Sequence, residues 1–181
     1  MNTARQIISG IKAAIAGSNP GAHMDVSRAA FAPSFVGLAA AGFLIIASAR
    51  LLSGAQGLPL PITIITAGLW LLTAPVMMYL ISHLLSRPEV FRPWVIVRNW
   101  ILLPLALAAF AIVALGAAGI LPAGVTATLA MAIYVSTLIV DIRLAQTMAT
   151  PAWTPAIFIA CAISIAGMLV ILAVFSSAAG Y

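Results

Sequence analysis

Acidic side chains are nearly missing from this 181-residue chain: Asp25, Glu89 and Asp141 are the only three, set against eight Lys or Arg. Charged residues of both signs amount to 6%, where ordinary globular domains carry about 25% to stay dispersed in water. A water-soluble domain is thereby excluded. Cys161 is the one cysteine and lies deep in an apolar run, so no internal disulfide can form and the redox compartment is undetermined. Two histidines and three dispersed acids offer no metal-ligand spacing, and there is no HExxH, CxxC or glycine-rich phosphate loop. His23, Asp25 and Ser27 superficially match a nucleophilic triad, but side chains two apart on a flexible strand do not establish its geometry. The expectation is no enzyme, no cofactor and no metal.

What is abundant is hydrocarbon. Apolar residues make up 64% of the chain and the mean hydropathy is +1.21. No long polar tract could form a separate soluble domain, so the chain reads as a single membrane domain. The pI of 10.4 comes from arginines flanking apolar spans, which is the pattern that orients membrane proteins, not a basic face for nucleic acid. The first thirty residues lack the apolar core of a signal peptide, being punctuated by Arg5, Lys12, His23, Asp25 and Arg28. Retention of the N-terminus is expected.

The spacing predicts an all-α, polytopic bundle: an amphipathic helix and polar lead-in within residues 1–30, then a five-helix domain over 31–181. In Thr3–Ala16, Ile7, Ile8, Ile11 and Ile15 share one arc of a helix, opposite Asn2, Arg5, Ser9 and Lys12. This helix either lies in the membrane interface or packs on the loops. Gly17–Gly21 ends it. Asp25 or Ser27 is placed to cap the first span, with Arg28 at the headgroups.

The spans are expected at about 33–52, 62–85, 100–120, 125–145 and 156–175. The first lies between Arg28 and Arg50, with Gly37 and Ala41 as a small-residue face for another helix. Pro75 should kink the second, and the loop SGAQGLPLP should return the chain to it. The 42 uncharged residues from Asn99 to Val140 would make one helix about 63 Å long, twice the roughly 30 Å of hydrocarbon, so they must fold back. Gly116, Gly119, Pro122 and Gly124 mark the reversal, and Pro104 is expected near a helix end. In the fifth span Ala160, Ser164 and Gly167 read as packing surface.

Ser86–Arg98 holds four of the eleven charged side chains, which makes it the ballast of one membrane face. With five spans, Arg5, Lys12, Arg28, Arg87, Arg92, Arg98 and Arg143 share a side and only Arg50 takes the other. That bias puts the N-terminus in the cytoplasm and the C-terminus outside, with Trp94, Trp100 and Trp153 as anchors at the inner boundary. Asp141 lies near that boundary, on one helix face with Thr137 and Tyr134. Arg143 points elsewhere, leaving Arg28, Arg92 or Arg98 from another segment as ion-pair partners, or water. On the second span Tyr79 and His83 follow Pro75 at intervals of four. Tyr79, His83, Tyr134, Thr137 and Asp141 thus form a candidate polar crevice, while Arg28, Arg92, Arg98 and Arg143 are candidate ion-pair or headgroup contacts.

Five spans, a cytoplasmic N-terminal segment, a very short external tail and a polar cluster entering the first span through an aromatic residue, MDVSRAAF at Met24–Phe31, resemble the small bacterial membrane proteins related to the Yip1 superfamily. The resemblance implies a helical bundle without a known catalytic role, associated in eukaryotic relatives with membrane trafficking and partner binding. The aspartate-and-tyrosine signature of the eukaryotic branch is not present, so a trafficking role is not implied. Two functions follow as expectations. One is a scaffold, partner-binding or accessory subunit of the bacterial inner membrane, with a membrane-protein partner or a second copy of itself. The alternative is a small transporter or channel using the polar crevice. Transport normally places polar groups at midplane and often uses repeats, and no convincing repeat is found.

Overall fold

The computed structural model describes residues 3–18, 20–53 and 59–178. The turn-formers at 54–58, Asn19, Asn2 and the last three residues of the C-terminal tail lie outside the described residues. The described chain is all helical: α1 (Thr3–Ile15), α2 (Arg28–Ser53), α3 (Leu60–Leu84), α4 (Phe91–Ala117), α5 (Ala123–Met148) and α6 (Trp153–Ala178). Short 3-10 turns at Pro20–Ala22 and Pro88–Val90 precede α2 and α4. Five helices, α2 to α6, are long and apolar enough to cross a membrane. At 25–27 residues each they measure roughly 40 Å, longer than the hydrocarbon core by about a turn at either end. The chain is a multi-pass membrane helical bundle.

Helix ends follow from local chemistry. Gly17 and Gly119 have φ of 75° and 72°, the left-handed conformation that closes α1 and α4. At each end the glycine N–H and the next N–H return to carbonyls of the last turn, Ala14 and Ala13 for α1, Gly116 and Leu115 for α4. Pro122 then serves as the N-cap of α5, so the expected reversal is two caps back to back. Helix α3 ends in the same way without glycine: Ser86 sits at φ 55°, its N–H donates to the His83 carbonyl and that of Arg87 to the Ser82 carbonyl.

Three expectations need correction. The third span starts at Phe91, nine residues before the expected Trp100, so much of the arginine-rich stretch is helix and not loop. Pro104 consequently lies at the middle of α4, not near an end. Trp94 is fully buried in the core, with its indole N–H unpartnered among the described residues, and is not an interfacial anchor. The common cause is packing: Trp94, Val95, Ile96 and Val97 are all buried, because this first part of α4 is covered on every side by the rest of the bundle.

Helix α1 is docked on α4 and α5. Its expected isoleucine arc divides: Ile7 and Ile11 pack against the core beside buried Ala14, whereas Ile8 and Ile15 remain exposed. Gly10 allows the contact with the following segment, since a Cβ there would lie 2.8 Å from the Met24 Cβ. The Asp25 carboxylate accepts the Ser27 N–H at 2.8 Å, which orders the residues just before α2. That backbone hydrogen bond, helped by the Ser27 side chain, holds the Asp25 pKa below its ordinary value.

The spanning helices form a ring in which α2 packs on α4, α4 on α5, α5 on α6 and α6 on α3, with α3 returning to α2. Gly37 and Ala41, the expected small-residue face, are buried, and a Cβ on Gly37 would stand 3.0 Å from the Trp100 ring and 3.3 Å from the Asn99 carbonyl. Beside them the buried Asn99 amide donates to the Ser34 hydroxyl at 3.1 Å, joining the same two helices. Likewise Ala160 and Gly167 of α6 are buried, Gly167 against the Trp70 indole of α3. These small residues therefore serve helix contacts inside one chain.

Candidate functional site

Asp141 is 5% exposed and occupies one of the few polar positions inside the bundle. The Arg98 Nε donates to its Oδ1 at 2.8 Å and the Arg98 Nη2 to its Oδ2 at 3.2 Å, so the pair is bidentate. Of the candidate partners, Arg98 is the one that meets it. Counting from Phe91 on α4 and back from Met148 on α5, both residues lie about 10 Å from the arginine-rich ends of their helices. In a bilayer centred on helices that overhang the hydrocarbon by about a turn, the pair would sit just inside the apolar layer. There, charge survives because each ion is the other's counter-charge and its hydrogen-bond partner.

The pair forms the floor of a partly enclosed cavity of about 330 Å³ lined by residues of all five spanning helices. Thr137 and Tyr134 rise from Asp141 along α5, and Ser164 faces them from α6. Trp70, Met168 and Ile171 form part of its apolar wall. The Thr137 hydroxyl donates to the Tyr134 carbonyl at 2.6 Å, and the Tyr134 hydroxyl reaches only the Met168 sulfur at 3.9 Å, a weak acceptor. The Ser164 hydroxyl makes no hydrogen bond to any described residue, although those of Ser48, Thr66, Thr73, Thr128 and Ser136 each donate to the carbonyl four residues back.

The candidate crevice is thus divided. Tyr134, Thr137 and Asp141 share the cavity, whereas Tyr79 and His83 are not part of its lining. The latter two rings meet at a 44° tilt with centroids 4.1 Å apart, and the His83 Nδ1–H donates to the Tyr79 carbonyl at 2.9 Å. Tyr79 continues into Phe91 and then Phe31, with centroids 5.4 and 5.7 Å apart, an aromatic chain that ties α2, α3 and α4 at the arginine-rich end. His83 itself is exposed.

The other arginines divide by role. Arg143 lies over the Trp153 ring, 4.4 Å from its centroid, and donates to the Gln146 side chain at 3.4 Å, fixing the turn into α6. Arg28 and Arg92 are exposed at the starts of α2 and α4, where headgroups would lie. Arg87 donates to the Ala149 carbonyl at 3.1 Å, linking the turn before α4 to the end of α5. Among the described residues, no three His, Cys, Asp or Glu side chains converge as metal ligands.

Sequence reasoning did not single out Trp70 or Ser164 as cavity residues, nor Asn99 and Ser34 as a buried polar link. A serine within an apolar helix is a faint signal, because most such hydroxyls return to their own backbone. The fold and ion pair define a multi-pass integral membrane protein with a partly enclosed, polar-floored cavity. No protein-family model, curated protein or solved structure matches the chain.

Proposed function

We propose that this protein is a non-catalytic binding or accessory subunit of the bacterial cytoplasmic membrane, oriented with its N-terminus and arginine-rich end inward. The observation that carries the reading is the bidentate Arg98–Asp141 pair: the one acid found within the spanning helices is already engaged through both of its carboxylate oxygens. A proton relay toward the cytoplasm would want a second titrating group beside it, and His83 stands in a different cluster. The buried small residues on α2 and α6 direct partner binding to other surfaces, such as the lipid-facing groove between α3 and α6 near Leu72 and Val170. The resemblance in layout to the Yip1 superfamily agrees with this reading.

A second reading, a small transporter, is favoured by the cavity itself, which rises from Asp141 to the level of Ile171, past the middle of the bundle. Proteoliposomes carrying a pH dye separate the two. Under an imposed potential and pH gradient, the binding reading expects flux equal to empty liposomes, together with co-purification of one membrane partner at fixed stoichiometry in mild detergent. Flux that scales with protein replaces it with transport.

A further inference from the structure

We infer that the polar-floored cavity is a binding site for a neutral, single-chain amphipathic lipid whose hydroxyl or carbonyl head meets the Arg98–Asp141 pair. This goes beyond partner binding and holds whether or not a protein partner exists. Three features carry it.

The first is shape. Measured along the helices from the arginine-rich end, the lining runs from about 10 Å at Arg98 and Asp141 to about 27 Å at Ile171. A volume of about 330 Å³ stretched over some 17 Å is long and narrow, within the roughly 300–1,000 Å³ of sites for small organic ligands.

The second is polarity that changes along this length. The floor is an ion pair, the middle carries Thr137, Tyr134 and Ser164, and the far end is apolar at Met168 and Ile171. Of the middle hydroxyls, that of Ser164 has no described partner and that of Tyr134, a residue 43% exposed, has only a thioether among the described residues. A polar group exposed to an apolar cavity is costly until something hydrogen-bonds to it. An ether or ester oxygen a few bonds below the head would meet these hydroxyls.

The third is charge balance. Arg98 and Asp141 cancel, leaving no spare counter-charge for an ionised head in a medium of low dielectric. Yet a bidentate pair leaves carboxylate lone pairs free to accept and guanidinium N–H groups free to donate. A hydroxyl or carbonyl uses these; a carboxylate or ammonium must break the pair first.

The test uses the full chain in phosphatidylcholine nanodiscs, with the glycerol monoester of dibromostearic acid as probe and Trp70 as reporter, because heavy-atom quenching acts at contact. The expected result is a saturable component of quenching above the linear lipid background. Unbrominated monoolein displaces it, oleate and oleylamine displace it at least tenfold more weakly, and it is missing in Trp70→Phe. Ser164→Phe, which fills the cavity at its middle, removes the saturable component while the remaining tryptophans report an unchanged thermal transition. Should that variant fail to fold, the competition series in the unmodified protein decides alone. Purely linear quenching, or equal displacement by oleate, overturns the assignment.

Discussion

Arg98 and Asp141, 43 residues apart in the chain, bring α4 and α5 together through two parallel hydrogen bonds beneath the arginine-rich end of the bundle. The pairing explains how Arg98 can lie two turns inside an apolar helix, and it makes the two side chains interdependent. Removing one leaves the other as a buried, uncompensated charge, whereas removing both leaves neither. Asp141→Leu or Arg98→Met alone should each lower stability by about 3–5 kcal/mol, while the two combined should recover most of the loss. Thermal or denaturant unfolding in one detergent measures all four proteins, and additive losses in the double variant would contradict the pairing.

The α2–α4 contact depends on the missing side chain at Gly37. A leucine there must displace the Trp100 ring and press on the Asn99 backbone, so Gly37→Leu should cost about 1–3 kcal/mol. Gly68, with nothing within 4 Å of its would-be Cβ, is the matched control. Gly68→Ala should leave stability unchanged or raise it by up to about 1 kcal/mol through helix propensity. Equal losses at both sites would remove close helix approach as the explanation.

Ser86 holds a backbone conformation that suits glycine, at the cap of α3. Ser86→Gly should stabilise the protein by about 1 kcal/mol with no change in the cap hydrogen bonds. A melting transition that falls would show that the serine side chain contributes more than the strain removes.

Asp25 sets a pH dependence of definite sign. Its folded pKa lies below the ordinary 3.8, so protons favour the unfolded segment. The stabilisation it contributes is therefore fully present above about pH 3.8 and is lost as pH falls through the folded value. A carbon-13 titration of the Asp25 carboxyl should give a midpoint below 3.8 that rises toward it when Ser27 is replaced by Pro, which has no N–H to donate. A midpoint above 3.8 in the unmodified protein contradicts the turn.

Much of this architecture is legible in the sequence because lipid imposes a simple rule: apolar lengths near twenty residues span, and glycine with proline turns them. The reversal at Gly116–Gly124 and both helices beside it could be read in that way. The start of α4 could not. Arg92 and Arg98 mark a loop by charge, yet Arg98 is neutralised by a residue on another helix, a relation that hydropathy does not carry. The same holds for Trp94, since amphipathic residues anchor interfaces only where the neighbouring chain leaves them exposed. For the site, the face shared by Asp141, Thr137 and Tyr134 follows from helical periodicity, but periodicity within one helix says nothing of which residues of α3 lie opposite. Hence the sequence groups Tyr79 and His83 with them, whereas Trp70, Leu71, Thr73 and Ala74 are the residues of α3 that line the cavity.

Five-span threading requires that α1 and the turn before α4 lie on one face of the bilayer while the turn after α4 lies on the other. Single cysteines at Ser9, Glu89 and Ala118, introduced into a Cys161→Ala background, can be labelled with an impermeant maleimide in intact cells and in inverted vesicles. Ser9→Cys and Glu89→Cys should label only in inverted vesicles, and Ala118→Cys only in intact cells. Labelling of Ser9→Cys and Glu89→Cys from opposite faces would contradict the five-span threading outright.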